Sequence, residues 1–169
     1  MNRVSSFPPV AATDARVLVL GSMPGVASLN AQRYYAHPRN AFWPLMGELL
    51  GFDPQLEYTA RLDALKQAGV ALWDVLGHCE RRGSLDADIV AGSVIANDFG
   101  RFFKAHPRIG SVFFNGNTAA LAFRRHVLPT LKAQTLTFHT LPSTSPANAG
   151  ISLARKRAAW QTVADAAKA

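Results

Sequence analysis

Four short apolar runs, each followed by a turn and a helical pattern, constrain the fold of this chain more than any other feature. The runs are residues 17–20, 70–76, 111–114 and 135–141. Apolar residues recur with helical spacing in residues 42–50, 59–67, 98–104, 115–128 and 151–168. Strands that alternate with helices favour a parallel sheet with right-handed crossovers. We therefore predict an α/β fold with three layers, α/β/α, around a central, mostly parallel four-stranded sheet.

The length and composition of the chain predict a single domain, and its positive charge favours an anionic binding partner. The chain has 169 residues, 49% of them hydrophobic, which predicts a single domain over residues 1–169. Residues 1–14 contain two prolines and little periodicity, so we expect them to pack loosely on it. The formal charge is +7 and the pI about 10.2, values that favour a polyanion.

Cysteine and histidine usage indicates a protein without a metal or a cofactor. Cys79 is the one cysteine, so no internal disulfide can form, and the histidines lack zinc-ligand spacing. No leader-like segment and no apolar run of bilayer length is visible, so we expect a cytoplasmic monomer with no membrane partner.

A long polar segment between the first strand and the first helix is the best candidate for function. Residues 21–43 read GSMPGVASLNAQRYYAHPRNAFW, and loops of this length in compact domains are uncommon unless they bind or catalyse. The second strand contains one acid, Asp74, and polar segments follow the third and fourth strands. Because parallel strands end at one edge of a sheet, we predict that these four segments converge there as a ligand site.

Each of these features also has an ordinary structural interpretation. The glycines of residues 21–25 suit a phosphate cradle or merely a tight turn, and Tyr34 and Tyr35 suit base stacking or a sealed core. Asp74 suits a functional carboxylate or an ion pair with Arg81 or Arg82. Loop asparagines such as those at positions 40 and 115 are most often turn caps.

Motifs along nearly the whole chain resemble one enzyme family. In order they are GSMPG, YAHPRNAFW, LWDV, CERRGSLD, FFNG and LPSTSPAN. This series resembles the uracil-DNA glycosylase superfamily. It is most similar to the hypoxanthine-DNA glycosylase branch and also lies near the mismatch-specific branch. The resemblance implies a uracil-DNA glycosylase-like fold and a DNA repair enzyme that hydrolyses the N-glycosidic bond of a deaminated base.

The resemblance also implies roles for individual residues. Asn40, the asparagine of HPRN, would be catalytic. The residues that would contact the extruded base are Ser22, Met23, Tyr35 (by stacking), Asp74 (by reading the base edge) and Asn115. The residues that would contact DNA are Arg33, His37, Arg39, Arg81, Arg82, Pro142, Ser143, Thr144 and Ser145. Two positions depart from the pattern, because Met23 replaces a water-activating asparagine and Leu141 replaces a histidine.

These expectations lead to one primary function and two rivals. The primary function is a monofunctional glycosylase that acts on double-stranded DNA containing hypoxanthine, or uracil or mismatched thymine, since no lysine nucleophile sits in the motifs. One rival is a catalytically weak nucleic-acid-binding module, favoured by Met23 and Leu141. The other is an enzyme that binds a small nucleotide at the same strand ends.

Overall fold

A computed structural model of the chain describes residues 2–132 and 135–169. Its strands are β1 Arg3–Ser5, β2 Val17–Gly21, β3 Val70–Asp74, β4 Leu76–Glu80, β5 Ile95–Ala96, β6 Ser111–Asn115 and β7 Thr137–Leu141. Its α-helices are α1 Val26–Ala31, α2 Phe42–Leu50, α3 Tyr58–Gln67, α4 Phe99–Ala105, α5 Asn117–His126 and α6 Leu153–Lys168. Short 3-10 turns lie at Asp86–Asp88, Ala91–Ser93 and Leu128–Thr130. Among the described residues, no helix is long and apolar enough to cross a membrane.

The central sheet has the order β3-β2-β6-β7, and all three pairings are parallel. Alternate side chains of β2 point to opposite faces, so Leu18 and Leu20 join one apolar core while Val17 and Val19 join another. Helices α4 and α5 cover the first core, and α2, α3 and α6 cover the second. This arrangement confirms the predicted three-layer α/β/α architecture.

The predicted second strand, residues 70–76, is wrong in its extent because the chain changes sheets within it. Strand β3 ends at Asp74, and the N–H groups of Val75 and Leu76 then donate to the carbonyls of Gly21 and Ser22. Leu76 begins β4, which belongs to a small antiparallel sheet of order β1-β4-β5. Residues 78–80 are therefore strand. The polar residues 78–90, with two arginines and a glycine, predict an exposed loop instead, so that prediction is wrong for its first three residues.

The N-terminal segment is anchored more firmly than predicted. Strand β1 pairs with β4, with Val4 opposite Cys79, and Val10 forms a two-bond bridge to Leu72 of β3. Val10 is buried, so this segment covers the outer edge of β3. Met1 lies outside the described residues.

Candidate active site

A cavity of about 690 Å³ opens at the carboxyl ends of the four parallel strands. The structure brings together the four segments singled out in the sequence. The lining includes residues 21–28 from the end of β2, Asp74 at the end of β3, residues 115–117 from the end of β6 and residues 140–148 from the end of β7. Residues 84–86 beyond β4 also line the cavity. The cavity is large enough for one purine or pyrimidine base together with part of its sugar.

The turn at residues 21–25 is fixed by the CERRGSLD segment. Ser22 Oγ donates to Asp86 Oδ1 at 2.6 Å, and the Val26 N–H donates to Ser84 Oγ at 2.7 Å. The Arg81 guanidinium donates to the Pro24 carbonyl. Ser84 and Asp86 belong to the CERRGSLD motif, but the sequence predicts no role in the site for either residue.

Met23 sits in that turn with its side chain turned into the protein. The side chain is buried in the core that α4 and α5 cover, while the residue still contributes to the cavity wall. A thioether is at most a weak hydrogen-bond acceptor, so Met23 presents an apolar surface to the cavity rather than a polar contact.

Asp74 is a buried carboxyl group aimed into the cavity. It is 4% exposed, and its Oδ2 has no hydrogen-bond partner among the described residues. Burial raises the pKa of Asp74 to about 7; the charge of Asp86 adds to this rise, and the charge of Arg81 opposes it. In the described part of the chain the ion pair is Glu48–Arg157, so a direct pair of Asp74 with Arg81 or Arg82 is not formed.

The hydroxyl group of Tyr35 lies near Asp74, and one face of the Tyr35 ring is covered by another side chain. Its backbone has a φ of 54°, in the left-handed region, and its ring stacks on Phe42 with centroids 4.2 Å apart. One ring face is thus covered, and only the other remains for the expected stacking on a base. The hydroxyl is buried and makes no hydrogen bond among the described residues. Burial and then the charge of Asp74 raise the pKa of Tyr35 above its usual range, and the nearby Asn115 side chain opposes this rise.

Gly21 allows this close approach. A Cβ at this position would lie 2.6 Å from Asp74 Oδ1 and 3.0 Å from the Tyr35 hydroxyl. Both distances are shorter than ordinary contacts with carbon, so any larger residue must displace one of the two polar groups.

Asn40 lies two residues before the first residue of α2 and lines the cavity. Its Oδ1 accepts from the Phe42 N–H at 2.9 Å, and its own N–H donates to the His37 carbonyl at 2.9 Å. The side chain therefore acts as a turn cap, the ordinary role considered for it. Its Nδ2 has no partner within the described residues and is free to donate to a ligand or a water.

Asn115 and Thr144 are joined by two hydrogen bonds. Asn115 Nδ2 donates to Thr144 Oγ1 at 2.9 Å, and the Thr144 N–H donates to Asn115 Oδ1 at 2.9 Å. Thr144 is 1% exposed, so the expectation that its side chain contacts DNA is not met in this conformation. The pair ties the end of β6 to the loop after β7, which leaves Asn115 with reduced capacity to read a base.

The other expected DNA-binding residues divide by location. His37, Pro142, Ser143 and Ser145 line the cavity. Arg33, Arg39 and Arg82 are exposed outside the cavity lining.

Arg81 requires a correction, because it is 2% exposed and its guanidinium faces the protein interior. Its Nε and Nη1 are buried without partners among the described residues. A side chain so placed cannot reach a DNA phosphate directly. The burial of Arg81 could not be predicted from sequence, because adjacent arginines followed by a glycine are typical of an exposed loop.

Three comparisons identify known proteins that are similar to this chain. A profile of the uracil DNA glycosylase superfamily matches residues 8–165. Two proteins named hypoxanthine DNA glycosylase are similar to the chain. The one from Methanosarcina barkeri is 36% identical over 91% of this chain and 93% of its own length. The one from Methanosarcina acetivorans is 34% identical over 93% of this chain and 95% of its own length.

A solved structure has a similar fold. It is an NMR solution structure from Methanosarcina acetivorans, of a protein described as a candidate uracil DNA glycosylase. The TM-score is 0.83 at 31% identity, with 99% of each chain covered. At this level of similarity the comparison extends to the whole sheet and the helices that flank it.

Proposed function

This chain belongs to the uracil DNA glycosylase superfamily, and from that premise we propose that it removes hypoxanthine from double-stranded DNA. The observation that carries the choice of base is the 36% identity, over nearly the full length, with a protein named hypoxanthine DNA glycosylase. The reaction hydrolyses the N-glycosidic bond of a nucleotide turned out of the helix and leaves an abasic site.

The carboxyl group of Asp74 and the hydroxyl group of Tyr35 lie side by side and can both form hydrogen bonds with the edge of a deaminated base. Both groups are buried, unpartnered among the described residues and adjacent across Gly21. A neutral carboxyl offers an acceptor and a donor, which match the N1–H and O6 of hypoxanthine in a two-bond pair. An ionised carboxylate would keep only the first bond and would repel O6. The pKa of about 7 makes the neutral form available near neutral pH.

The same proton supports departure of the base. As the glycosidic bond breaks, negative charge develops on the leaving purine, and a donor fixed at O6 stabilises that charge. A carboxylate at this position would oppose it. Asp74 therefore both reads the base and assists its release when it is protonated.

Asn40 is the proposed catalytic residue. It lines the cavity, and its one side-chain hydrogen bond among the described residues, from the Phe42 N–H, leaves part of its amide group available to a ligand. Oδ1 keeps one lone pair beyond its bond to Phe42, and Nδ2 keeps its hydrogens. These groups can hold a water against the sugar as it becomes cationic. An amide suffices here because an oxocarbenium-like sugar requires an oriented water more than a strong base.

The cavity chemistry supports a hydrolase that does not cut the strand. Among the described residues that line the cavity, none is a lysine, so no amine is placed to form a Schiff base with the sugar. The proposed product is an intact strand with an abasic site, and the protein acts as a monomer on duplex DNA.

The test is excision from end-labelled duplexes that carry inosine, uracil or thymine opposite each normal base. We expect strand breaks at inosine after treatment with alkali and none before it. Breaks without alkali would contradict the monofunctional mechanism. Excision of uracil or thymine with no action on inosine would contradict the choice of base, and no excision from any duplex would refute the proposed function.

A further inference from the structure

Tyr35 has a backbone conformation that its residue type disfavours. Its φ of 54° lies in the left-handed region, which a bulky residue adopts only where the surrounding structure holds it there. The other described non-glycine residue with a positive φ is Gln32, which is the C-cap of α1. Tyr35 ends no helix, so contacts from other parts of the chain must stabilise its conformation.

Two aromatic side chains hold the backbone immediately before Tyr35. The hydroxyl group of Tyr58 in α3 accepts a hydrogen bond from the Tyr34 N–H at 2.9 Å. The indole N–H of Trp43 in α2 donates to the Tyr34 carbonyl at 2.9 Å. The peptide groups on both sides of Tyr34 are therefore fixed, and the second of them contains the backbone nitrogen of Tyr35.

Arg61 packs against both of these aromatic rings. Its guanidinium carbon lies 4.7 Å from the ring centroid of Trp43 and 5.5 Å from that of Tyr58. These distances are typical of cation–π attraction. The two rings also contact each other edge to face, with centroids 6.0 Å apart. Trp43, Tyr58 and Arg61 therefore form one packed group behind the Tyr34 backbone.

The conformation of Tyr35 determines where its hydroxyl group lies. Its ring stacks on Phe42, and its hydroxyl lies beside Asp74 across Gly21. A change of φ at Tyr35 would move the whole side chain, and the hydroxyl at its far end would move most. A displacement of about 1 Å at a group that binds the substrate can cost about 100-fold in rate.

We propose that Trp43 and Tyr58 are positioning residues for Tyr35 in base excision. By fixing the backbone before Tyr35, they keep its hydroxyl group beside the carboxyl group of Asp74. Neither side chain lines the cavity, so both act through Tyr35 and not by contact with the base. This inference rests on the proposed function, in which Asp74 and Tyr35 read the base.

The variants Trp43→Phe and Trp73→Phe form a matched pair. Trp73 is buried like Trp43, and its indole N–H donates to the Phe7 carbonyl at 3.0 Å. Each variant loses one indole bond to a backbone carbonyl, but only Trp43 bonds to the residue before Tyr35. In single-turnover excision of hypoxanthine at saturating protein, Trp43→Phe is expected to lose about 10- to 100-fold in rate. Trp73→Phe should keep the wild-type rate, and equal losses in the two variants would overturn the proposal.

Tyr58→Phe is a milder test that does not depend on a core tryptophan. It removes only the hydroxyl group that accepts from the Tyr34 N–H, so it should slow excision by about 2- to 10-fold, the factor for one lost hydrogen bond. Binding to a duplex with a stable abasic-site analogue should stay unchanged in Tyr58→Phe and in Trp43→Phe, because that duplex has no base for Tyr35 to contact. A wild-type excision rate in Tyr58→Phe, or parallel losses of rate and of abasic-site binding, would contradict the positioning role.

An NMR measurement decides the proposal even if the wild type excises no base. The backbone carbon chemical shifts of Tyr35 and its coupling between the amide proton and Hα report its φ. Both should indicate a left-handed conformation in the wild type and in Trp73→Phe, and should move away from it in Trp43→Phe and, by less, in Tyr58→Phe. Unmoved values in these last two variants would refute the positioning role, whereas absence of excision by the wild type would refute only the proposed function.

Discussion

Replacement of Asp74 by asparagine should stabilise the protein at alkaline pH and not at acidic pH. The folded-state pKa of Asp74 is about 7, raised from 3.8 mainly by burial. Between these two pKa values the folded state binds a proton that the unfolded state has released, so wild-type stability falls as pH rises through that window. The shift corresponds to about 4 kcal/mol in total, of which about 3 kcal/mol falls between pH 5 and pH 8.

Asparagine has nearly the same shape as aspartate and does not ionise. The free energy of unfolding of Asp74→Asn therefore lacks the fall that the wild type shows as pH rises. Urea unfolding of wild type and Asp74→Asn at pH 5 and pH 8 measures the effect. Every other titratable group is shared, so the difference between the two proteins isolates residue 74. We expect Asp74→Asn to gain about 3 kcal/mol relative to wild type on going from pH 5 to pH 8. A difference that is the same at both pH values would refute the raised pKa.

The same variant tests the reading of the base. An amide also offers one acceptor and one donor, so Asp74→Asn should still excise hypoxanthine. Wild-type excision should fall as pH rises through about 7, the pKa of Asp74, and the variant should lack this fall. Loss of activity at every pH would instead mean that the carboxyl itself is required.

Three further substitutions address the rest of the site. Asn40→Ala should abolish excision at saturating protein and lower the free energy of unfolding by only about 1 kcal/mol, the cost of a lost cap. Asn40→Asp keeps the hydrogen bond to the Phe42 N–H, so a similar loss of excision rate in this variant would assign the catalytic role to the amide nitrogen. Arg82→Ala should reduce the slope of log affinity against log salt by about 1 if Arg82 contacts a phosphate, whereas Arg81→Lys should leave the slope unchanged and lower the midpoint of thermal unfolding. Gly21→Ala should destabilise the protein by about 1–3 kcal/mol and eliminate excision, and a fully active Gly21→Ala enzyme would contradict the close packing against Asp74.

Local signals in the sequence explain which elements could be predicted. Helix α2 coincides with the predicted residues 42–50, because Gly51 follows in a left-handed conformation (φ 81°) that ends a helix. The parallel strands β2 and β6 were visible as apolar runs. The site could be located because chain order alone places the ends of parallel strands at one edge.

Long-range contacts explain what the sequence could not reveal. The apolar run 70–76 gives no sign that residues after Asp74 leave the main sheet, because that break depends on bonds to Gly21 and Ser22. The burial of Arg81 depends on the turn that contains Pro24, on a contact 57 positions away. The side chain of Asn115 forms its hydrogen bonds with Thr144. Neither the residue types nor their spacing in the sequence shows that these two residues bind each other rather than a ligand.

The small sheet β1-β4-β5 bears on which part of the molecule opens most easily. Ser5 Oγ and His78 Nδ1 lie 2.7 Å apart although 73 positions separate them in sequence, and the Arg81 N–H donates to the carbonyl of Asn2. The sheet buries little to offset the entropy of closing such a loop, since Arg3 and Ser5 of β1 are exposed whereas all five residues of β2 are buried. The segment that carries Ser84 and Asp86 continues from β4, so its position depends on this less buried sheet. Hydrogen exchange in this sheet should be faster than in β2 and β6, so that one wall of the site opens while the central sheet stays closed.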